Sequence, residues 1–185
     1  MRQMGSWYFD GFKREEFTKP NGKKGSRLVY VGEWYGFPGG REEMLRIKKA
    51  AFLLTALSCI PYFYAQFNPA EGGMVHWMAI PSLLSLVPLI YMIIGLINFL
   101  PSKEKWEIRV YYAGYRRLYR SAAVVLVLMC IWVVMEAAYI AMNLSSILSE
   151  LAYFLCVLAS TAFLACMIVL IRRHPAVVIE GPKVE

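Results

Sequence analysis

Charge is missing from long stretches of this 185-residue chain, and that absence is its most informative feature. No Asp, Glu, Lys or Arg occurs from Ala50 to Ala70, Met74 to Leu100, Ser121 to Met135 or Leu151 to Ile171. A bilayer crossing takes about 20 predominantly apolar helical residues. Three of the stretches have that length, and the stretch from Ser121 reaches it by taking in Glu136 and running to about Met142. With 58% hydrophobic residues and a mean hydropathy of +0.46, a chain this short could not hide its apolar surface in a water-soluble core.

Catalytic signatures are lacking as well. There is no CxxC, GxSxG, HExxH or Walker lysine loop, and the two histidines, His76 and His174, fall at opposite membrane surfaces in the topology derived below. These absences argue against an intramembrane hydrolase, a metalloenzyme or a thiol redox enzyme, and no cofactor or metal is expected. The four cysteines, Cys59, Cys130, Cys156 and Cys166, all lie in apolar stretches and read as small buried apolar residues. No short basic segment followed by an apolar run opens the chain, so the first apolar stretch is expected to persist in the mature protein.

What is present sets the topology. Of the 20 Lys and Arg residues, 11 precede Ala50, six lie from Lys103 to Arg120 and three follow Ile171. The connections Asn68 to Gly73 and Asn143 to Glu150 hold none, carrying only Glu71 and Glu150. Basic loops stay on the cytoplasmic side. The expected fold is therefore an all-α membrane protein, a four-transmembrane-helix bundle with spans at about 50–67, 75–100, 121–142 and 151–171, with both termini in the cytoplasm of a cell-membrane protein. The net charge of +7 then reads as a topology signal and an attraction to anionic headgroups; with no nucleic-acid-binding spacing in the sequence, no nucleic-acid partner is expected.

Residues 1–49 form the expected cytoplasmic N-terminal segment. Strand-like runs Phe9 to Thr18 and Ser26 to Phe37 flank a Pro-Asn-Gly turn cluster and predict a β-hairpin. A lone hairpin is marginal in water, so it should rest on the membrane, on the 101–120 loop or on another protein. That loop interleaves aromatics with Arg109, Arg116, Arg117 and Arg120, and helical spacing makes it an amphipathic interfacial helix. Trp106 and the four arginines are its expected interfacial anchors. Residues 176–185 form the expected cytoplasmic tail. A repeat at an offset of 71 residues sets Arg46–Ile60 over Arg117–Ile131 with five identities in 15, beginning two hairpins of the same sense.

Glu136 is the residue that asks for an explanation. A carboxylate within a span costs on the order of 2.5 to 3.5 kcal/mol on insertion scales, so a partner or a proton must offset it. Counting from the outer surface places it about 9 Å deep, level with Tyr62, Ser82 and Cys156, with Tyr139 on its own face. These five residues form the candidate intramembrane polar site. Pro61 and Pro81 at the same depth each free a carbonyl one turn earlier. Alanines Ala137, Ala141 and Ala152, with Cys156 and Ser160, are expected to form a tight helix seam around it. Two function classes follow: an accessory or assembly subunit of a membrane complex, or a small oligomeric proton- or cation-coupled transporter or channel using Glu136. Partners are the lipid bilayer and either another protein or further copies of the chain.

Overall fold

The computed structural model describes residues 11–18, 24–143 and 147–181. The beginning of the first expected strand at Phe9, the turn at 19–23, residues 144–146 of the second short connection and residues 182–185 of the tail lie outside the described residues. Strands β1 (Phe12–Thr18), β2 (Lys24–Tyr30) and β3 (Trp34–Gly36) lead into helix α1 (Gly40–Phe67). A 3₁₀ turn at Gly72–Met74 precedes α2 (His76–Phe99). Then α3 (Ile108–Tyr111), a π-helical turn (Tyr112–Arg116) and α4 (Arg117–Met142) run end to end, followed by α5 (Ile147–Arg173) and strand β4 (Val177–Glu180). The chain is mostly helical, and four of its helical segments are long and apolar enough to cross a membrane: Gly40–Phe67, Ala79–Phe99, Ile108–Met142 and Glu150–Arg173.

Packing inside the bundle pairs α1 with α5 and α2 with α4, while α4 and α5 join the two pairs. That pattern is unchanged by exchanging α1 with α4 and α2 with α5, the exchange implied by the 71-residue offset. The symmetry is incomplete, because α1 and α2 touch far less than α4 and α5 do. Glycine makes the α2–α4 approach possible. A Cβ on Gly95 would meet the Leu118 backbone nitrogen at 2.7 Å, and one on Gly114 would meet the Phe99 backbone at 3.1 Å. The expected alanine seam is not the tight contact, since Ala137, Ala141 and Ala152 are exposed. Small residues allow close approach only where the helix rotation turns them inward, and here the bulky Trp132 and Tyr153 face the interior instead. Rotation also turns Cys130 and Cys166 outward, contrary to the expectation that all four cysteines are buried. The outer surface is as apolar as the core, with Ile60, Phe67, Leu83, Val87, Val127 and Val134 all exposed.

At the end holding the basic segments, the sequence departs from its expected layout. β1 and β2 form the hairpin, pairing Phe12 with Tyr30 and Thr18 with Lys24. The run from Ser26 to Phe37, however, does not continue as one strand. It breaks at Val31–Glu33, and β3 pairs with β4 from the chain's other terminus. The expected tail thus supplies a strand, which sets residues 34–36 and 177–180 at the same end of the bundle. The 101–120 loop also differs from a separate interfacial helix. It climbs directly into α4, because Gly114 lets it lie along the last turn of α2.

Trp106 is 1% exposed and is therefore not a surface anchor. Its ring packs with Phe37, Phe99 and Tyr115 at centroid distances of 5.1, 5.5 and 5.8 Å. Its indole N–H donates to the Lys103 carbonyl at 2.5 Å, and its backbone exchanges two hydrogen bonds with Tyr35. The Tyr115 hydroxyl donates to the His174 carbonyl at 2.8 Å, so the cluster ties β3, α2, α4 and the exit of α5 together. Arg116 stacks over Tyr112 at 4.5 Å, Arg117 is half-buried, and Arg120 is exposed. Arg109 follows the start of α3 at Ile108.

Candidate functional site: a buried carboxyl pair

At the opposite end, Glu136 is carried on the interior face of α4, one turn beyond Trp132. Both are buried, Glu136 to 0% exposure. Helix α5 begins at Ile147, one turn earlier than the expected span, and this draws Glu150 out of the connecting loop and into the first helical turn. Glu150 is also 0% exposed, and its carboxyl lies beside that of Glu136. A helix N-terminus favours a negative side chain by its dipole, which accounts for an acid at this position of α5. It does not account for a second acid facing it.

Three aromatic residues wall the pair. Tyr153, one turn after Glu150, packs edge-on against Trp132 with ring centroids 6.0 Å apart. Trp132 meets Tyr62 of α1 at the same separation. Tyr139 stands half-buried towards the rim, near Glu136, Glu150 and the exposed Glu71. The 3₁₀ turn closes over Tyr153, since a Cβ on Gly73 would meet the Tyr153 hydroxyl at 2.7 Å.

Of the five residues nominated from sequence, Tyr62 and Ser82 do meet. The Tyr62 hydroxyl bonds to the Ser82 carbonyl at 2.9 Å and to the Ser85 hydroxyl at 2.8 Å, bridging α1 and α2. Tyr62 reaches Glu136 only by way of Trp132 and Tyr153. Cys156 is half-buried one turn further along α5, packed on the apolar core. Glu150 stands outside the sequence-based expectation because the charge-free run begins one residue later, at Leu151. The signal that could have found it is its spacing, three residues before Tyr153 and ten before Ser160, on the inward face of α5.

The site is electrostatically incomplete. The Glu136 carboxyl has the Glu150 carboxyl as its one polar neighbour close enough to share a hydrogen bond, and no other donor among the described residues reaches it. Buried polar groups are ordinarily paired with a donor or a base, so a carboxyl whose one polar neighbour is a second carboxyl marks a place for a proton or a cation. No Lys or Arg exists anywhere from residue 50 to 102 or from 121 to 171 that could neutralise the pair. Two adjacent buried carboxylates cannot both remain charged, so the pair must hold a shared proton or admit a cation. No group of three or more His, Cys, Asp or Glu fit to hold a metal ion occurs among the described residues.

No family model, curated protein or solved structure matches the chain.

Proposed function

We propose that this chain is a multi-pass membrane protein, with its basic end and both termini in the cytoplasm, that binds and moves a proton or small cation through the Glu136–Glu150 pair. The observation that carries this reading is the pair itself: two fully buried acids, side by side, within residues 121–171, which hold no Lys or Arg. Intramembrane acids are costly and mark ion or proton pathways. The acids sit towards the end whose connections hold Glu71 and no Lys or Arg, so cations are drawn to that surface rather than repelled. Tyr153, Trp132 and Tyr62 form the barrier below the site, and Pro61 and Pro81 interrupt the hydrogen-bond ladders of α1 and α2 near its depth. Four helices leave little room for a pathway within one chain, which favours an oligomer, and the apolar outer surface is available for one.

The test is flux in proteoliposomes. Wild type should acidify or alkalinise the lumen under a proton gradient, or carry a monovalent cation under an imposed potential. Glu136→Gln and Glu150→Gln should each reduce that flux at least tenfold while leaving a folded, monodisperse protein. Flux equal to empty liposomes, or equal in wild type and both variants, overturns the proposal.

A second reading, an accessory subunit of a membrane complex, is favoured by one feature. The β1–β2 hairpin stands with both strands largely uncovered and Leu28 61% exposed. Affinity purification in mild detergent should then recover a stoichiometric second protein that Leu28→Asp releases. Tyr30 and Trp34 are unsuitable for that test, because the Tyr30 hydroxyl accepts from the Ile108 backbone and its ring packs on Trp34, so both hold the chain's own fold.

A further inference from the structure

A groove of about 560 Å³ runs along the outer surface between α2 and α4, lined by Leu84, Val87, Pro88, Tyr91, Val124 and Leu128. One charged residue, Arg120, closes its end, with Ser121 beside it. The contacts of Gly95 with Leu118 and of Gly114 with Phe99 fix the antiparallel register of these helices. In that register Arg120 stands level with Ile93, six residues inside the end of α2 at Phe99. Six residues of helix are about 9 Å. Arg120 is thus a cation at hydrocarbon depth if the chain spans a bilayer, and the inference rests on that part of the proposed function.

Among the described residues no carboxylate pairs with Arg120. The ion pairs among the described residues are Arg27–Glu15, Lys105–Glu180 and His174–Glu43, and Arg120 belongs to none. A charged side chain near a helix end meets this cost by extending towards the headgroup layer. Guanidinium presents a planar fork of donors that matches a phosphate. From Arg120 to Leu128 the groove descends eight residues, or about 12 Å, along an almost wholly apolar wall. That is a cation at the shallow end and a hydrocarbon slot below it, the order of polarity along a phospholipid.

We propose that Arg120 and the α2–α4 groove form a binding site for one phospholipid, its phosphate on the Arg120 guanidinium and an acyl chain along Val124, Pro88 and Leu84. The occupant belongs to the leaflet at the basic end, where Arg116 and Arg117 add to the positive field and favour an anionic headgroup.

The test is lipid retention. Protein purified from native membranes in mild detergent should carry one phospholipid per chain by native mass spectrometry and phosphorus analysis. Arg120→Gln, which removes the charge, and Val124→Trp, which fills the slot without touching it, should each lower occupancy at least fivefold. Retention that is absent in wild type, or unchanged in both variants, overturns the proposal. So does displacement of the need for lipid by inorganic phosphate, seen as a phosphate adduct on wild type with no phospholipid. A change of oligomeric state in Val124→Trp with lipid unaffected would assign the groove to a contact between copies, and would equally overturn it. Alkaline carbonate extraction of the same membranes separates the two proposals: release of the protein defeats the membrane-spanning reading, whereas a retained protein without bound lipid defeats this one alone.

Discussion

At the basic end of the bundle Trp106, Tyr115 and Lys48 each deliver a polar hydrogen to a backbone carbonyl, the last two to a distant segment. At the acidic end Glu136, just as deeply buried, has a second acid, Glu150, as its polar neighbour and no donor from a backbone or a base. Both ends are built on aromatic rings in mutual edge contact, so packing alone does not distinguish them. The difference lies in polar satisfaction. A fully paired network rigidifies a structure, while an unpaired buried group costs about 1–3 kcal/mol and persists where something else selects for it. The basic end therefore reads as a clamp that holds the termini on the helices, and the acidic end as a site.

That contrast can be broken in order of expected effect. Trp106→Ala should destabilise the protein most, by about 3–5 kcal/mol, since it empties the centre of the Phe37, Phe99 and Tyr115 cluster; thermal unfolding in detergent measures it. Gly95→Ala should cost about 1–3 kcal/mol through overpacking against the Leu118 backbone, read by the same assay. Ser160→Ala removes a 2.8 Å bond to the Ser58 carbonyl between α5 and α1, for a loss of about 0.5–1.5 kcal/mol. Glu136→Gln should move the other way or not at all, because it replaces a buried acid facing a second acid with a neutral isostere while lowering flux at least tenfold. A large loss of stability in Glu136→Gln would make the acidic end a clamp as well and dissolve the contrast.

The smallest effect belongs to pH. Glu43, on the turn of α1 that precedes the apolar stretch, accepts a 2.6 Å bond from His174 and a 2.7 Å bond from the Gly39 amide. The His174 bond first, and the Gly39 bond next, hold its carboxyl below the usual value of 4.5. A carboxyl lowered in the folded state contributes stability that is present above its unfolded value and lost as pH falls through the folded one. The clamp should therefore hold through neutral and mildly acid pH and loosen only below the ordinary carboxylate range, a loss that Glu43→Gln removes. Protein unfolding followed from pH 7 down to pH 3 would reveal this as a small slope confined to the acid end.

How much of this was legible beforehand differs by residue. Glu136 could be nominated because a charge within an apolar run stands out against its neighbours. Glu150 could not, since it sits where an apolar run ends, and only a helix start at Ile147 makes it an interior residue. Trp106 was read as a membrane-surface anchor from its place among arginines, and the pairing of β3 with β4 that encloses it joins residues more than 140 positions apart.

The sequence by itself determined the number of apolar helices and the separation of basic from acidic ends, because hydrophobic length and loop charge are local properties summed along the chain. Tertiary structure alone decided which faces of those helices meet. One residue of helix turns a side chain through about 100°, so packing at Gly95, Gly114 and Ser160 chose the rotation that buries Glu136 beside Glu150 and leaves Arg120 on the outside.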